Sequence, residues 1–187
     1  MSERIQNVHP KEYGGNKYRS TLEADTAEIL DALGISFEYE PRRITLLESF
    51  DCPFQKDKVR AIHYKPDFII GNIVIECKGF ETPEWKNKVK YIYKYFMENE
   101  PEMSYHVIHN CTGQLIDALD RHLDELDMHL EVTEKPKRGI SKVLTFNSFS
   151  SALEALGLKG KHIGALMRSL TGKTEYIYGY KWKLKKN

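Results

Sequence analysis

No apolar run in the chain approaches the roughly 20 residues that a membrane helix needs, and Met1–Lys17 is too polar for a signal peptide. A soluble, cytoplasmic protein with no membrane partner is therefore expected. Cysteine is sparse: Cys52, Cys77 and Cys111 stand too far apart for a disulfide framework or a zinc motif. The nearest candidate zinc ligands, His109 and Cys111, have no second pair at zinc spacing. There is no Walker loop, no glycine-rich dinucleotide fingerprint and no nucleophile elbow, which removes the common nucleotide- and acyl-transfer classes. His63, His106, His109, His122 and His129 have no pairing that points to nucleophilic catalysis. No internal repeat or low-complexity tract is present.

What remains is a chain of 187 residues, 41% hydrophobic and 11% aromatic, enough for a packed core in one or two domains. Its net charge of +1 hides an asymmetry. Residues 1–134 carry 16 Lys/Arg against 25 Asp/Glu, a balance of −9, whereas residues 135–187 carry 12 against 2, a balance of +10. Such a split points to a basic module that meets a polyanion, joined to a body with another task. The Lys135-Pro-Lys-Arg-Gly139 stretch reads as the linker, giving domains 1–134 and 135–187.

Residues 1–19 read as a loosely held arm. Ser20 opens a helix to about Leu33, with Leu22, Thr26, Ile29, Leu30 and Leu33 on one face, and Gly34 ends it. Ile35–Glu40 alternates like a strand, which Arg42–Leu47 continues or pairs with, and Ser49–Lys58 reads as a loop. Pro83–Asn99 forms a helix with Trp85, Val89, Ile92 and Phe96 inward, followed by a strand at Tyr105–His109 and a helix over Gln114–Asp127. Farther on, Ser148 or Ser150 caps a helix through Leu156, Lys161–Leu170 reads as a second helix and Tyr176–Leu184 as a strand. The order predicts an α/β unit with a mixed sheet.

The chemistry concentrates in residues 67–78. Asp67-Phe-Ile-Ile and Ile73-Val-Ile-Glu-Cys-Lys flank Gly71-Asn72, a two-residue hairpin signal. With those two as the loop, Ile70 opposes Ile73, Ile69 opposes Val74, Phe68 opposes Ile75, and Asp67 opposes Glu76. Opposed residues share a face at about 4.5–5.5 Å between Cβ atoms, and Lys78, two residues on, joins them. Two opposed carboxylates repel unless something positive sits between them. Mg²⁺ takes one or two carboxylates with waters and phosphate oxygens, and Lys78 orients or deprotonates the water while balancing developing charge. The plain alternative is a surface acid pair bridged by Lys78, worth little. Glu23 carries two readings: a helix-borne acid near the apolar stripe, or the glutamate of a Ser20-x-x-Glu23 capping box bonded to the Ser20 N–H. Glu28 is the alternative acid on that helix, nearer its polar side.

Tyr64-Lys-Pro-Asp67…Glu76-Cys-Lys78 matches the PD-(D/E)XK nuclease signature. With Leu22-Glu23, Gly34-Ile-Ser-Phe-Glu-Tyr-Glu40, Tyr64-x-Pro-Asp-Phe68 and Glu76-x-Lys-Gly79, residues 14–110 resemble the phage junction-resolving endonuclease I family. That resemblance implies a restriction-endonuclease-like mixed sheet flanked by helices, with Glu23, Asp67, Glu76 and Lys78 catalytic. It also implies two Mg²⁺ ions (Mn²⁺ substituting) on Asp67, Glu76, Glu23 and the backbone carbonyl of Cys77, and cleavage to 5′-phosphate and 3′-hydroxyl ends. Junction resolvers of that family are dimers, so the resemblance admits a homodimer.

The segment Phe149-Ser-Ser-Ala-Leu…Ile163…Leu166…Leu170-Thr-Gly-Lys173…Tyr178-Gly-Tyr-Lys-Trp182 resembles the helix-turn-helix NUMOD modules of phage homing endonucleases. It implies a small, mostly helical DNA-binding domain. Lys159, Lys161, Arg168, Lys173, Lys181 and Lys183 would contact phosphate, and His162 and its helix would enter a groove; Tyr178, Tyr180 and Trp182 also read as packing residues. The expectation is a Mg²⁺-dependent DNA endonuclease of the phage homing type, acting in a host cytoplasm if phage-encoded. A Holliday-junction resolvase and a non-catalytic DNA-binding protein on a nuclease scaffold are the alternatives.

Overall fold

The computed structural model describes residues 9–136, 139, 141–158 and 161–187. They form two compact units: Ser36–His109, and the described residues of 1–35 together with those of 110–187. The fold is mixed α/β, with several sheets and five α-helices among the described residues.

The chain opens with β1 (Lys11–Tyr13) and β2 (Asn16–Tyr18), a hairpin rather than the loose arm expected. Gly14 and Gly15 both take positive φ (57° and 80°), which a tight two-residue hairpin turn demands, and Tyr18 is buried. Helix α1 (Thr21–Ala32) follows, capped by Ser20, whose Oγ accepts the Glu23 N–H at 3.2 Å. It buries Ala24, Thr26, Ala27, Ile29 and Leu30. It ends in a Schellman motif, with Gly34 N–H donating to Asp31 O and Ile35 N–H to Leu30 O.

The second unit starts with β3 (Glu38–Tyr39), β4 (Ile44–Leu47), β5 (Ile62–Tyr64), β6 (Phe68–Ile70) and β7 (Ile73–Cys77). β4 neither continues β3 nor pairs with it. Glu40 turns at φ 47° ahead of Pro41, and β4 pairs antiparallel with β5 instead, Ile44 opposite Tyr64. Hairpin β6–β7 has the expected register, Phe68/Ile75, Ile69/Val74 and Ile70/Ile73, around Gly71 at φ 55°. Helix α2 (Pro83–Asn99) begins at Thr82, whose Oγ1 accepts the Trp85 N–H at 3.1 Å, and returns the chain to β8 (Ser104–Ile108). β8 runs parallel to β7, completing a mixed sheet in the order β3-β6-β7-β8. On one face of it Ile44, Tyr64, Val74, Ile92 and Phe96 form a buried cluster, with Trp85 and Tyr105 packed against it.

Helix α3 (Gly113–Asp120) stops short of Asp127. Residues 121–127 wind on as turns, closed by Asp127 at φ 55° and Met128 N–H to Leu123 O, so Leu123 is still buried. Strand β9 (Met128–Glu134) then alternates Met128, Leu130 and Val132 inward, and β10 (Val143–Phe146) pairs on one side of it. Helix α4 (Phe149–Ala155) is capped by Ser148, not Ser150, whose hydroxyl instead donates to Asp120 at 2.8 Å. The expected second helix is a 3₁₀ turn, Ile163–Leu166, followed by the single-turn α5 (Met167–Leu170). Gly164 lies against Gly113 so closely that a Cβ there would stand 3.0 Å from the Gly113 nitrogen. The last strand, β11 (Tyr180–Lys186), pairs with β9 on its other side, Trp182 opposite Val132.

This sheet runs through the position where the sequence placed its domain boundary. β9 precedes residue 135, yet both its neighbours follow it, so the expected 134/135 boundary falls inside one sheet, and two of the five elements described after it are the strands β10 and β11 rather than helices. Lys137 and Arg138 of the expected linker lie outside the described residues. Trp182 is completely buried, with its indole N–H on Ile177 O at 3.0 Å. Trp182→Ala is accordingly expected to cost about 3–5 kcal/mol, read from urea denaturation.

Candidate active site

Asp67 precedes β6, and continuing the β6–β7 register by one residue sets it opposite Glu76. Both carboxylates are buried, 2% and 3% exposed, where an uncompensated charge is expensive. Asp67 Oδ2 accepts the Cys77 N–H at 2.8 Å. Glu76 Oε2 accepts the Tyr64 hydroxyl at 2.8 Å, and its Oε1 lies 3.0 Å from Lys78 Nζ. The Lys78 side chain is 28% exposed, so the site meets solvent at its ammonium end. That ammonium also sits over the Trp85 ring, 4.0 Å from its centroid.

The lysine's backbone is fixed as firmly as its side chain. Lys78 N–H donates to Ile108 O at 2.9 Å, carrying the β7–β8 ladder one residue past Cys77. Lys78 O lies 2.7 Å from His109 Nδ1, and Nε2 of that ring lies 3.5 Å from Glu81. Burial, then the charge of Glu76, holds the Tyr64 phenol well above its ordinary range, and Tyr105 is raised by the same two causes. Both phenols therefore stay protonated donors at neutral pH. Tyr64 spends its proton on Glu76.

Two buried carboxylates with a backbone carbonyl nearby are the hard-oxygen chemistry that Mg²⁺ takes, completed by water and phosphate oxygens. The residues fit that ion better than zinc. The Cys77 thiol points to the opposite face from Glu76 by strand alternation, so only its carbonyl is a candidate ligand. Among the described residues no three His, Cys, Asp or Glu side chains converge as a ready-made metal cage.

Glu23 lies in the other unit. It is buried, with Oε1 accepting the Ser20 hydroxyl at 2.9 Å and Oε2 accepting the Arg19 N–H at 3.0 Å. The capping box thus exists, but its return bond goes to residue 19 rather than to the Ser20 N–H.

The predicted DNA-contacting residues fall into two groups, and Lys159 lies outside the described residues. Around the 3₁₀ turn and α5, Lys161 and Lys173 are exposed, His162 precedes the turn, and Arg168 holds Thr174 Oγ1 at 3.3 Å. Along β11, Lys181 and Lys183 share the outward face with Lys185, and Lys181 lies 3.4 Å from Glu175. Lys185 is not among the residues expected to meet DNA, although the alternation Lys181-Trp-Lys-Leu-Lys185 marks it. The pattern marks Tyr64 only as part of Tyr64-Lys-Pro-Asp67 and Trp85 only as an inward residue of its helix, with no contact to Glu76 or Lys78. Their contacts depend on the β4–β5 register and the angle of α2, which no local pattern encodes.

Comparison with known protein families, with curated protein sequences and with solved structures finds no match to this chain.

Proposed function

We propose that this chain is a Mg²⁺-dependent DNA endonuclease of the PD-(D/E)XK type, with a restriction-endonuclease-like catalytic fold and a site-directed, homing-type role. The observation that carries the proposal is the buried pair of Asp67, just ahead of β6, and Glu76, on β7, with Lys78 Nζ 3.0 Å from Glu76. A structural ion pair gives no reason to bury a second acid beside the first. Mg²⁺, when bound, supplies charge that offsets the two acids and lowers the pKa of a coordinated water.

Asp67 and Glu76 would hold the ion, with the Cys77 carbonyl as a further oxygen. Lys78 would steady the attacking water and counter the negative charge that grows on the phosphate. Water oxygen joins phosphorus as the bond to the 3′ oxygen breaks, leaving 5′-phosphate and 3′-hydroxyl ends. The net +10 of residues 135–187 supports DNA as the substrate, because lysines that neutralise phosphates release counterions.

The test is incubation of the full chain with linear duplex and with four-way junctions, in Mg²⁺ and in EDTA. Cleavage of duplex DNA in Mg²⁺ alone is expected. Cleavage that persists in EDTA contradicts the mechanism, and cleavage confined to junctions replaces the homing role with junction resolution. Glu23 enters only through its family resemblance. Glu23→Gln is expected to abolish cutting while moving the melting temperature by no more than a few degrees, because glutamine also serves a capping box. A Glu23→Gln protein that cuts normally would leave residue 23 a cap alone.

A further inference from the structure

We propose that Tyr64 and Trp85 are positioning residues for the Glu76–Lys78 pair, Tyr64 fixing the carboxylate and Trp85 the ammonium. This rests on the nuclease reading for what the pair does, but its geometry stands independently. Four side chains lie in series: the Tyr64 hydroxyl on Glu76 Oε2 at 2.8 Å, Glu76 Oε1 on Lys78 Nζ at 3.0 Å, and Nζ above the Trp85 ring at 4.0 Å.

Each end of the series is anchored. The Tyr64 ring is buried in the cluster of Ile44, Val74, Ile92 and Phe96, so its hydroxyl has little freedom to leave Glu76. Trp85 occupies the first turn of α2, its N–H held by Thr82 Oγ1 at 3.1 Å after the rigid Pro83. Between the anchors, Lys78 has its backbone pinned by Ile108 O and its side chain at the solvent margin.

The two anchors fail differently. Without the Tyr64 hydroxyl, the Glu76 carboxylate can rotate and give both oxygens to Lys78. A metal ion must then break a tighter pair, so the loss appears in metal affinity. Without the Trp85 face, the ammonium regains rotamer freedom and swings into water. The loss then appears in the rate at saturating metal.

The experiment uses the full chain and the Y64F, W85L and W85F variants. Mn²⁺ binding is followed by calorimetry, cleavage rate is followed against Mg²⁺ concentration, and thermal melts check folding. For Y64F, half-saturation is expected to rise about tenfold in both titrations, with maximal rate within about twofold and a melt shift of a few degrees. For W85L the maximal rate is expected to fall about tenfold at unchanged Mn²⁺ affinity, and W85F to recover most of it. Wild-type metal affinity in Y64F overturns the role of Tyr64; equal rates in W85L and W85F overturn that of Trp85. If the wild type cuts DNA and all three variants match it, this inference falls while the nuclease reading stands. A wild type that binds Mn²⁺ but cuts nothing ends the nuclease reading and the rate role of Trp85, leaving Tyr64 to be judged by calorimetry. A wild type that binds no Mn²⁺ overturns both readings.

Discussion

Asp67→Asn is expected to cut Mg²⁺-dependent DNA cleavage at least about a hundredfold while leaving DNA affinity intact, since it removes a metal-holding charge and nothing that faces phosphate from the basic residues. The same change should leave the melting temperature unchanged or higher. The amide oxygen can still accept the Cys77 N–H, and the like-charge repulsion with Glu76 disappears. Lys78→Ala should also abolish cleavage but lower the melting temperature, because it strips Glu76 Oε1 of the partner now 3.0 Å away. A purely structural role for the cluster predicts no change in activity: both variants would cut at full rate. Kinetics and thermal melts on the two proteins separate these outcomes, and an Asp67→Asn protein that still cuts would end the mechanism.

The second large effect concerns the basic residues. A cut after Glu134 would strip β9 of β10 on one side and β11 on the other, exposing Leu130 and Val132, which are wholly buried. Residues 1–134 alone are therefore expected to lose cooperative folding of the unit that holds β9, seen as a lost protected sheet in hydrogen exchange. DNA binding has to be tested in the intact chain. The triple change Lys181, Lys183 and Lys185 to Gln keeps β11 paired, because its backbone and the inward Trp182 and Leu184 are untouched. If each lysine contacts one phosphate, the slope of log affinity against log salt should fall by about 2.7. An unchanged slope would remove this face of the sheet from the interface. Changing Lys161 and Arg168 to Ala then asks the same of the 3₁₀ turn and α5, and a loss confined to particular sequences would mark base reading.

The hairpin that holds Asp67 and Glu76 was legible because its information is local: Gly71-Asn72 sets the turn, and a period-two run of Ile, Val and Phe sets the faces. α1 and α2 are legible for a similar reason, with Ser20 opening one and Pro83 in the first turn of the other, and apolar stripes at helical spacing. β9 was missed although Met128-His-Leu-Glu-Val-Thr-Glu134 alternates plainly, because the leucines of 115–126 extended the helical pattern across the turns that end it. The pairing of β4 with β5 across the long 48–61 connection has no local signal at all. Neither do the contacts of Tyr64 and Trp85. The sequence shows which groups carry charge; which phenol and which indole hold them in place depends on registers set far away along the chain.

The unit that holds Asp67, Glu76 and Lys78 is a continuous stretch, Ser36–His109, whereas its companion is assembled from segments on either side of it. During synthesis the ribosome releases every residue of the acid pair, its lysine and its two aromatic neighbours before β9 has met β11. Hairpin β6–β7 and the β7–α2–β8 crossover draw on contacts close in sequence, while the β10-β9-β11 sheet must wait for Tyr180–Lys186 to close back onto Met128–Glu134. A nascent chain stalled between these two events would therefore carry Asp67, Glu76 and Lys78 in place while still lacking the strand that bears the Lys181, Lys183 and Lys185 row.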